Sequence, residues 1–330
     1  MKVLVTGGCG FIGSNFIRYI LKEHQDWEVV NLDALTYAGN PANLTDIAGE
    51  VRYKFIHGRI EEPQVTLAAM KGCSAVINFA AETHVDRSIV EPAVFIRTNI
   101  VGTEVLLDCA REKKIQRFIQ ISTDEVYGSL GKEGSFSETA PLAPRSPYSA
   151  SKAAADLLVL AAFHTFGLGV SIIRLSNTYG PFQFPEKLIP LSITNLLEGK
   201  KIPVYGRGEN VRDWLYVEDA VRAIETVLLK GKTGEVYNAG GGTELQNIEV
   251  VRKICALVGK GEEKIEFVPD RPGHDFRYAL DSSKIRALGW SPQVDFETGL
   301  KLTVEWYQEK TQWWRSVKQK LQREAKGFWS

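Results

Sequence analysis

Short runs of Val, Ile and Leu alternate with helically spaced stretches through the first half of the chain. Runs at 3–6, 29–32, 75–79, 118–122 and 170–175 are apolar on both faces, as parallel strands covered by helices on each side must be. Residues 13–22 and 91–113 between them read as helices. This alternation predicts right-handed βαβ units and an α/β fold built on a doubly wound parallel sheet of Rossmann type. After Asn177 the pattern changes. Pro181, Pro185, Pro190 and Pro203, then Gly206 and Gly208, break the periodicity and predict loops around a cleft. Helical spacing resumes at 219–230 and 248–258. The expected organisation is a large domain over 1–175, with later segments free to interleave, and a second, smaller mixed α/β domain over 176–330.

Length agrees with two domains, since 330 residues exceed one ordinary core. With 44% hydrophobic and 24% charged residues, global disorder is excluded. Forty basic residues balance forty acidic ones, which argues against a bulk polyanion partner such as nucleic acid. No run approaches the roughly 18–20 apolar residues that span a bilayer, so no membrane partner is expected. The first apolar run stops at glycines, unlike a signal-peptide core. Cys9, Cys73, Cys109 and Cys255 form no CxxC pair. No disulfide framework and no metal site is expected, and a reducing cytoplasm is the expected compartment. The tail from 308 carries six Lys or Arg against two acids, with Trp313, Trp314 and Trp329 interspersed. It reads as an amphipathic helix packing its Trp side on the body, or alternatively as a polyanion-binding tail.

Gly7, Gly10 and Gly13 spell G-x-x-G-x-x-G between the first strand and the first helix. Glycines there allow a tight turn, close approach of a pyrophosphate, and packing of helix on strand. The helix N-terminus then favours the phosphate charge. Asp33 ends the second strand, 20 residues after Gly13. A carboxylate there accepts from a ribose 2′-hydroxyl and repels a 2′-phosphate, and no Arg follows within 34–40. These residues point to NAD rather than NADP, although an Asp at a strand end also caps turns.

Tyr148 and Lys152 form Y-x-x-x-K, whose spacing puts both on one helix face. A neighbouring ammonium is expected to lower the phenol pKa from about 10 and so make Tyr148 a base. Ser122 stands at a strand end 26 residues upstream of Tyr148. Asp124 and Glu125 follow within S-T-D-E-V-Y-G. Two adjacent carboxyls are expected to titrate as a pair, one an acid and one a base, which suits removal of water beside a ketone. They could also simply cap the next turn.

Glycine loop, strand-end Ser/Thr and Y-x-x-x-K in this order resemble the extended short-chain dehydrogenase/reductases that bind nucleotide sugars. The closer resemblance is to the dTDP-glucose 4,6-dehydratases. It rests on TGGCGFIGS, NLDALTYAGN at 31–40, FAAETHVDRSI at 79–89, STDEVYG, PYSASKAAAD, SNTYGPFQFPEKLIPL at 176–191, VRDWLYVEDA at 211–220 and DRPGHDFRYALD at 270–281, nearly the whole chain. The resemblance implies a hydro-lyase of deoxysugar biosynthesis that works as a homodimer, through helices at 94–113 and 149–166. It makes 1–175 the NAD domain and 176–330 the nucleotide-sugar domain. The implied reaction oxidises C4 of dTDP-glucose with NAD, eliminates water across C5 and C6, and returns hydride to C6.

Under this resemblance the catalytic group is Thr123, Asp124, Glu125, Tyr148 and Lys152. Cofactor positions are Gly7, Gly10, Phe11, Ile12, Gly13, Asp33, Ala34, Leu35, Thr36, Arg59, Ile60, Phe79, Ala80, Ala81, Thr83, Thr98, Ser122 and Thr178, with Tyr148 and Lys152. Substrate positions are Thr83, Thr123, Asn177, Lys187, Leu188, Pro203, Tyr205, Arg212, Asn247, Arg271 and His274. Arg212 and Arg271 suit a diphosphate through their fork geometry. His84, within ETHVDRS, reads equally as a core histidine. Three features depart from the family: Arg59 in place of an Asp, Thr178 in place of an Asn, and a shorter loop at 129–137. Other readings are dehydration of a different nucleotide sugar, decarboxylation of UDP-glucuronate, 4-epimerisation, and non-catalytic dinucleotide sensing. Asp124 speaks for dehydration, and the intact catalytic set speaks against a sensor.

Overall fold

The computed structural model describes residues 1–270 and 273–324. Seven parallel strands form the main sheet: β1 (Lys2–Thr6), β2 (Glu28–Asp33), β3 (Tyr53–His57), β4 (Ala75–Asn78), β5 (Arg117–Thr123), β6 (Val170–Leu175) and a last strand at Glu235–Ala239. Three short strands, β7 (Asn177–Tyr179), β8 (Ile202–Tyr205) and β9 (Val211–Tyr216), precede that last strand, which is therefore β10. The order β10-β6-β5-β4-β1-β2-β3 reverses direction between β1 and β4. Ligands of open α/β sheets bind at such a switch point, outside the carboxyl ends of the strands.

The inner strands β1, β4 and β6 are almost entirely buried, which explains their unbroken Val and Ile runs. One apolar core on one side of the sheet takes in helix Phe11–Glu23 and helix Val217–Lys230. Tyr19 on the first donates to Glu225 Oε2 on the second at 2.6 Å. The opposite core includes helices Gly102–Glu112 and Pro147–Phe166. Segments from the second half of the chain, β10 and helix Val217–Lys230, thus complete the main sheet and its cover.

The smaller part has two sheets. One is ordered β11-β9-β7, with β11 at Glu244–Gln246, and the other pairs β8 with β12 at Ile265–Val268. Helices Leu188–Leu197, Asn247–Val258 and Phe296–Glu309 share its core with Trp314.

The expected helix at 91–113 is interrupted. Pro92 opens a short helix Pro92–Phe95, a wider π-helical segment covers Ile96–Val101, and Gly102–Glu112 resumes α-helix. The tail forms helix Thr311–Glu324, with Trp314 fully buried and Trp313 half-buried, while Trp329 lies outside the described residues. No helix among the described residues is long and apolar enough to cross a membrane. The described residues hold no cluster of three or more His, Cys, Asp or Glu suited to a metal ion.

Candidate active site

A deep cleft runs along the carboxyl ends of β1, β2, β4, β5 and β6. At one end lies the glycine loop. Gly7 takes φ +68°, and a Cβ there would sit 2.7 Å from Ala80 N. A Cβ on Gly13 would sit 2.6 Å from the Gly7 carbonyl oxygen. The loop therefore tolerates no side chain at either position. Helix Phe11–Glu23 starts there with no side-chain cap and no acid in its first turn. Its first amides face the cleft as an anion-binding end.

Asp33 closes β2 beside this loop. Its Oδ2 accepts from Cys9 N at 2.8 Å and its Oδ1 from Leu35 N at 2.7 Å. Burial pushes its pKa up, and the two amides pull against that shift. Leu35 itself points its N–H to Asp33 and does not line the cleft. Of the other expected cofactor positions, Ala34, Thr36, Arg59, Ile60, Phe79, Ala80, Ala81, Thr83, Thr98, Ser122 and Thr178 all line it, with Phe11 and Ile12.

At the far end of the cleft β5 stops and a 3-10 turn begins at Asp124. Thr123 caps that turn, its Oγ1 accepting from Glu125 N at 3.2 Å. The abrupt change from strand to turn brings Thr123, Asp124 and Glu125 to the same wall. Thr123 Oγ1 donates to Asp124 Oδ1 at 3.1 Å. Asp124 Oδ2 is buried with no partner among the described residues. Burial first, then the charge of Glu125, holds the Asp124 carboxyl well above the usual range.

Helix Pro147–Phe166 supplies the facing pair. Ser146 and Ser149 form its capping box, Pro147 opens it and Gly167 ends it in left-handed conformation. Tyr148 and Lys152 both line the cleft. Lys152 Nζ donates to Ile121 O on β5 at 2.6 Å. Burial lowers Lys152 from 10.5 to about 8, and Asp156 one turn on opposes that shift.

Tyr148 departs from expectation. Its phenol is raised, not lowered, first by burial and then by the charges of Glu125 and Asp124, while a Thr123 hydrogen bond pulls the other way. Desolvation first, then the facing carboxyls, outweigh the Thr123 hydrogen bond.

The expected substrate positions divide. Thr83, Asn177 and Lys187 line the cleft, and Lys187 Nζ donates to Thr83 O at 3.2 Å. Leu188 begins the next helix, off the cleft wall. Pro203 and Tyr205 lie on β8, and Arg212 lies on β9. Tyr205 OH donates to Asp86 Oδ2 at 3.3 Å, and its ring stands edge-on to His274 at 6.2 Å. Buried Arg212 donates to Asp275 O at 3.0 Å and lies over the Tyr278 ring. Asn247 starts its helix with a buried Oδ1 that has no partner among the described residues. Arg271 lies outside the described residues. His84 caps helix Val85–Val90, with Nδ1 accepting from Arg87 N.

Four further cleft residues, Glu82, Gln183, Phe184 and Glu186, lie within the motifs at 79–89 and 176–191, yet loops without periodicity give them no role of their own. Buried Asn99 joins three segments behind the site. Its Nδ2 donates to Glu82 O at 3.0 Å and Ser151 Oγ at 2.8 Å, and its Oδ1 accepts from Glu82 N.

The family model for GDP-mannose 4,6 dehydratase matches residues 4–303. The dTDP-glucose 4,6-dehydratase of Streptomyces niveus is 52% identical over 323 residues, covering 96% of each chain. Among solved structures, DesIV, a dTDP-glucose 4,6-dehydratase from Streptomyces venezuelae with NAD bound, superposes with a TM-score of 0.94 at 48% identity, over 96% of this chain and 100% of that one. The UDP-glucose 4-epimerase of Thermus thermophilus, in complex with NAD, reaches 0.88 at 30% identity, over 94% and 100%.

Proposed function

The chain belongs to the GDP-mannose 4,6 dehydratase family, and on that premise we propose that it converts dTDP-glucose to dTDP-4-keto-6-deoxy-glucose with NAD as its hydride carrier. The observation that carries this reading is Asp124, a buried carboxyl on the cleft wall beside Glu125, its Oδ2 without a partner among the described residues and its pKa raised by burial and the Glu125 charge. An epimerisation or a decarboxylation has no departing hydroxyl for such an acid to protonate.

The cleft fits a dinucleotide. The glycine cradle leaves room that a Cβ would fill, the uncapped helix end suits a pyrophosphate, and Asp33 suits a ribose 2′-hydroxyl. The positions expected to hold it are those lining the cleft from Gly7 to Thr178. Bound there, NAD supplies the reversible hydride acceptor for oxidation at C4 and reduction at C6.

The protein's own groups then move protons. Tyr148 takes the 4-hydroxyl proton, with Lys152 lending positive charge at the same helix face and Thr123 hydrogen-bonded to the same oxygen. Burial and the facing acids raise the Tyr148 phenol, so positive charge beside it favours the base form. The 4-ketone acidifies the C5 proton, and Glu125 removes it. Asp124 gives its proton to the 6-hydroxyl, which leaves as water. The hydride from C4 finishes on C6 while Glu125 returns a proton to C5, so the sugar loses one water and gains and loses no electrons overall.

The nucleotide end of the substrate fits the cluster of Pro203, Tyr205, Arg212, Asn247 and His274, with Arg271 beside it in sequence. Lys187, Asn177 and Thr83 line the same cleft as the acid pair and suit the sugar end. We further infer a homodimer. Its support is an apolar face where Leu157 is 58% exposed on helix Pro147–Phe166, beside Ile96 and Val101 of the π-helical segment. Four free cysteines support a reducing cytoplasm. The experiment for the activity is incubation of the purified protein with dTDP-glucose and detection of the 4-keto-6-deoxy product by its alkaline absorbance.

A further inference from the structure

Two segments beside the glycine loop hold non-glycine residues in the left-handed region, Leu35 at φ 51° and Phe182 at φ 67°. Bulky residues stay there only when surrounding contacts hold them. Both segments lie under one element, the helix Thr311–Glu324. Trp313 stands edge-on to Phe182 at 5.8 Å, and Trp306 packs on the same ring at 4.7 Å. Lys320 Nζ donates to Thr36 O at 3.3 Å, next to Leu35.

A relay of hydrogen bonds leads from this helix into the cleft. Trp313 Nε1 donates to Asn43 Oδ1 at 2.8 Å. Asn43 is buried, and its Nδ2 donates to Cys9 O, inside the glycine loop, at 2.9 Å. Cys9 N in turn donates to Asp33 Oδ2 at 2.8 Å. Trp313 itself does not line the cleft.

We propose that Trp313 is a positioning residue for the dinucleotide, holding the glycine loop and Asp33 in binding geometry through Asn43. The proposal rests on the dinucleotide reading of the cleft. Without the indole donor, Asn43 Oδ1 is buried and unsatisfied, and its amide no longer has a fixed orientation toward Cys9 O. The loop then keeps Asn40 N on Cys9 O at 3.0 Å but loses the second, side-chain donor that orients this carbonyl beside Asp33.

The test separates the donor from the ring. Trp313→Phe keeps an aromatic against Phe182 and deletes the N–H. Trp314→Phe, on the same helix, deletes a donor to Tyr307 O, a carbonyl outside the Asn43–Cys9–Asp33 relay. The full-length protein and both variants, freed of dinucleotide, are titrated calorimetrically with NAD, and melting temperature is recorded beside each. Trp313→Phe is expected to bind NAD about fivefold or more weakly, the factor typical of one lost hydrogen bond. Its kcat at saturating NAD is expected to match the unaltered protein. Trp314→Phe is expected to melt earlier with NAD affinity unchanged. Equal NAD affinity in Trp313→Phe and the unaltered protein overturns the proposal. So does an equal loss in both variants, which would make the effect one of general stability. Failure of the unaltered protein to bind NAD overturns the reading of the cleft and this inference with it.

Discussion

Thr123 donates its hydroxyl proton to Asp124 across 3.1 Å, and the other carboxyl oxygen of Asp124 is buried with no partner among the described residues. One face of the carboxyl is oriented and the other is left for substrate. Burial first, and then the charge of adjacent Glu125, hold the Asp124 carboxyl well above the usual carboxylate range, as an acid at this position needs.

Asp124→Asn keeps the shape and removes the acid. Water loss is expected to slow by about 10²–10⁴-fold, the usual range for a general acid. Removal of the C5 proton by Glu125 should survive. In D2O, dTDP-glucose recovered from this variant is expected to carry deuterium at C5, read by mass spectrometry. Recovered sugar without deuterium would mean that Asp124 acts before the elimination.

Lys152 sets an alkaline limit. Its folded-state pKa is depressed to about 8, so the ammonium is lost as pH rises through 8, and kcat/KM is expected to fall there. The stability sign is opposite. Between about 8 and 10.5 the unfolded chain keeps a proton the folded chain has released, so the contribution of Lys152 to stability rises with pH. Lys152→Met is therefore expected to gain most over the unaltered protein below pH 8, with the gap closing toward pH 10 in urea titrations.

Behind the site, Arg174 Nε binds Asp156 Oδ2 at 2.9 Å, and Arg174 also reaches the Tyr127 hydroxyl at 2.7 Å. Both charged groups are buried. Arg174→Met strands the Asp156 carboxylate, and a loss of about 3–5 kcal/mol is expected in chemical denaturation. A loss under about 1 kcal/mol would show that water replaces the pair.

Leu157→Asp places a charge in the exposed apolar face of helix Pro147–Phe166, where Val90 is also 62% exposed. Sedimentation is expected to show a dimer for the unaltered protein and a monomer for the variant. An unchanged dimer would move the interface elsewhere.

The strands that the sequence made plain were those buried on both faces, where Val and Ile follow one another without interruption. Edge strand β3 was missed because its residues are partly open to solvent, with Phe55 exposed and Lys54 and His57 at its surface. Strand β10 was missed because Glu235 and Asn238 dilute its short apolar run. The glycine loop, the Thr-Asp-Glu turn and the Tyr-Lys pair were legible because each occupies consecutive or helically spaced positions. Asn99 was not, because tertiary packing alone places it behind the site. The raised Tyr148 phenol was equally hidden, since it depends on carboxyls that reach it only through the fold.

Dehydration of dTDP-glucose by a protein that already holds NAD is read on the purified chain. Supplied with dTDP-glucose and no added cofactor, it is expected to form the 4-keto-6-deoxy sugar, seen by alkaline absorbance and by a product lighter than substrate by one water. Absence of that product even with NAD added, while dTDP-glucose is bound, would contradict the account.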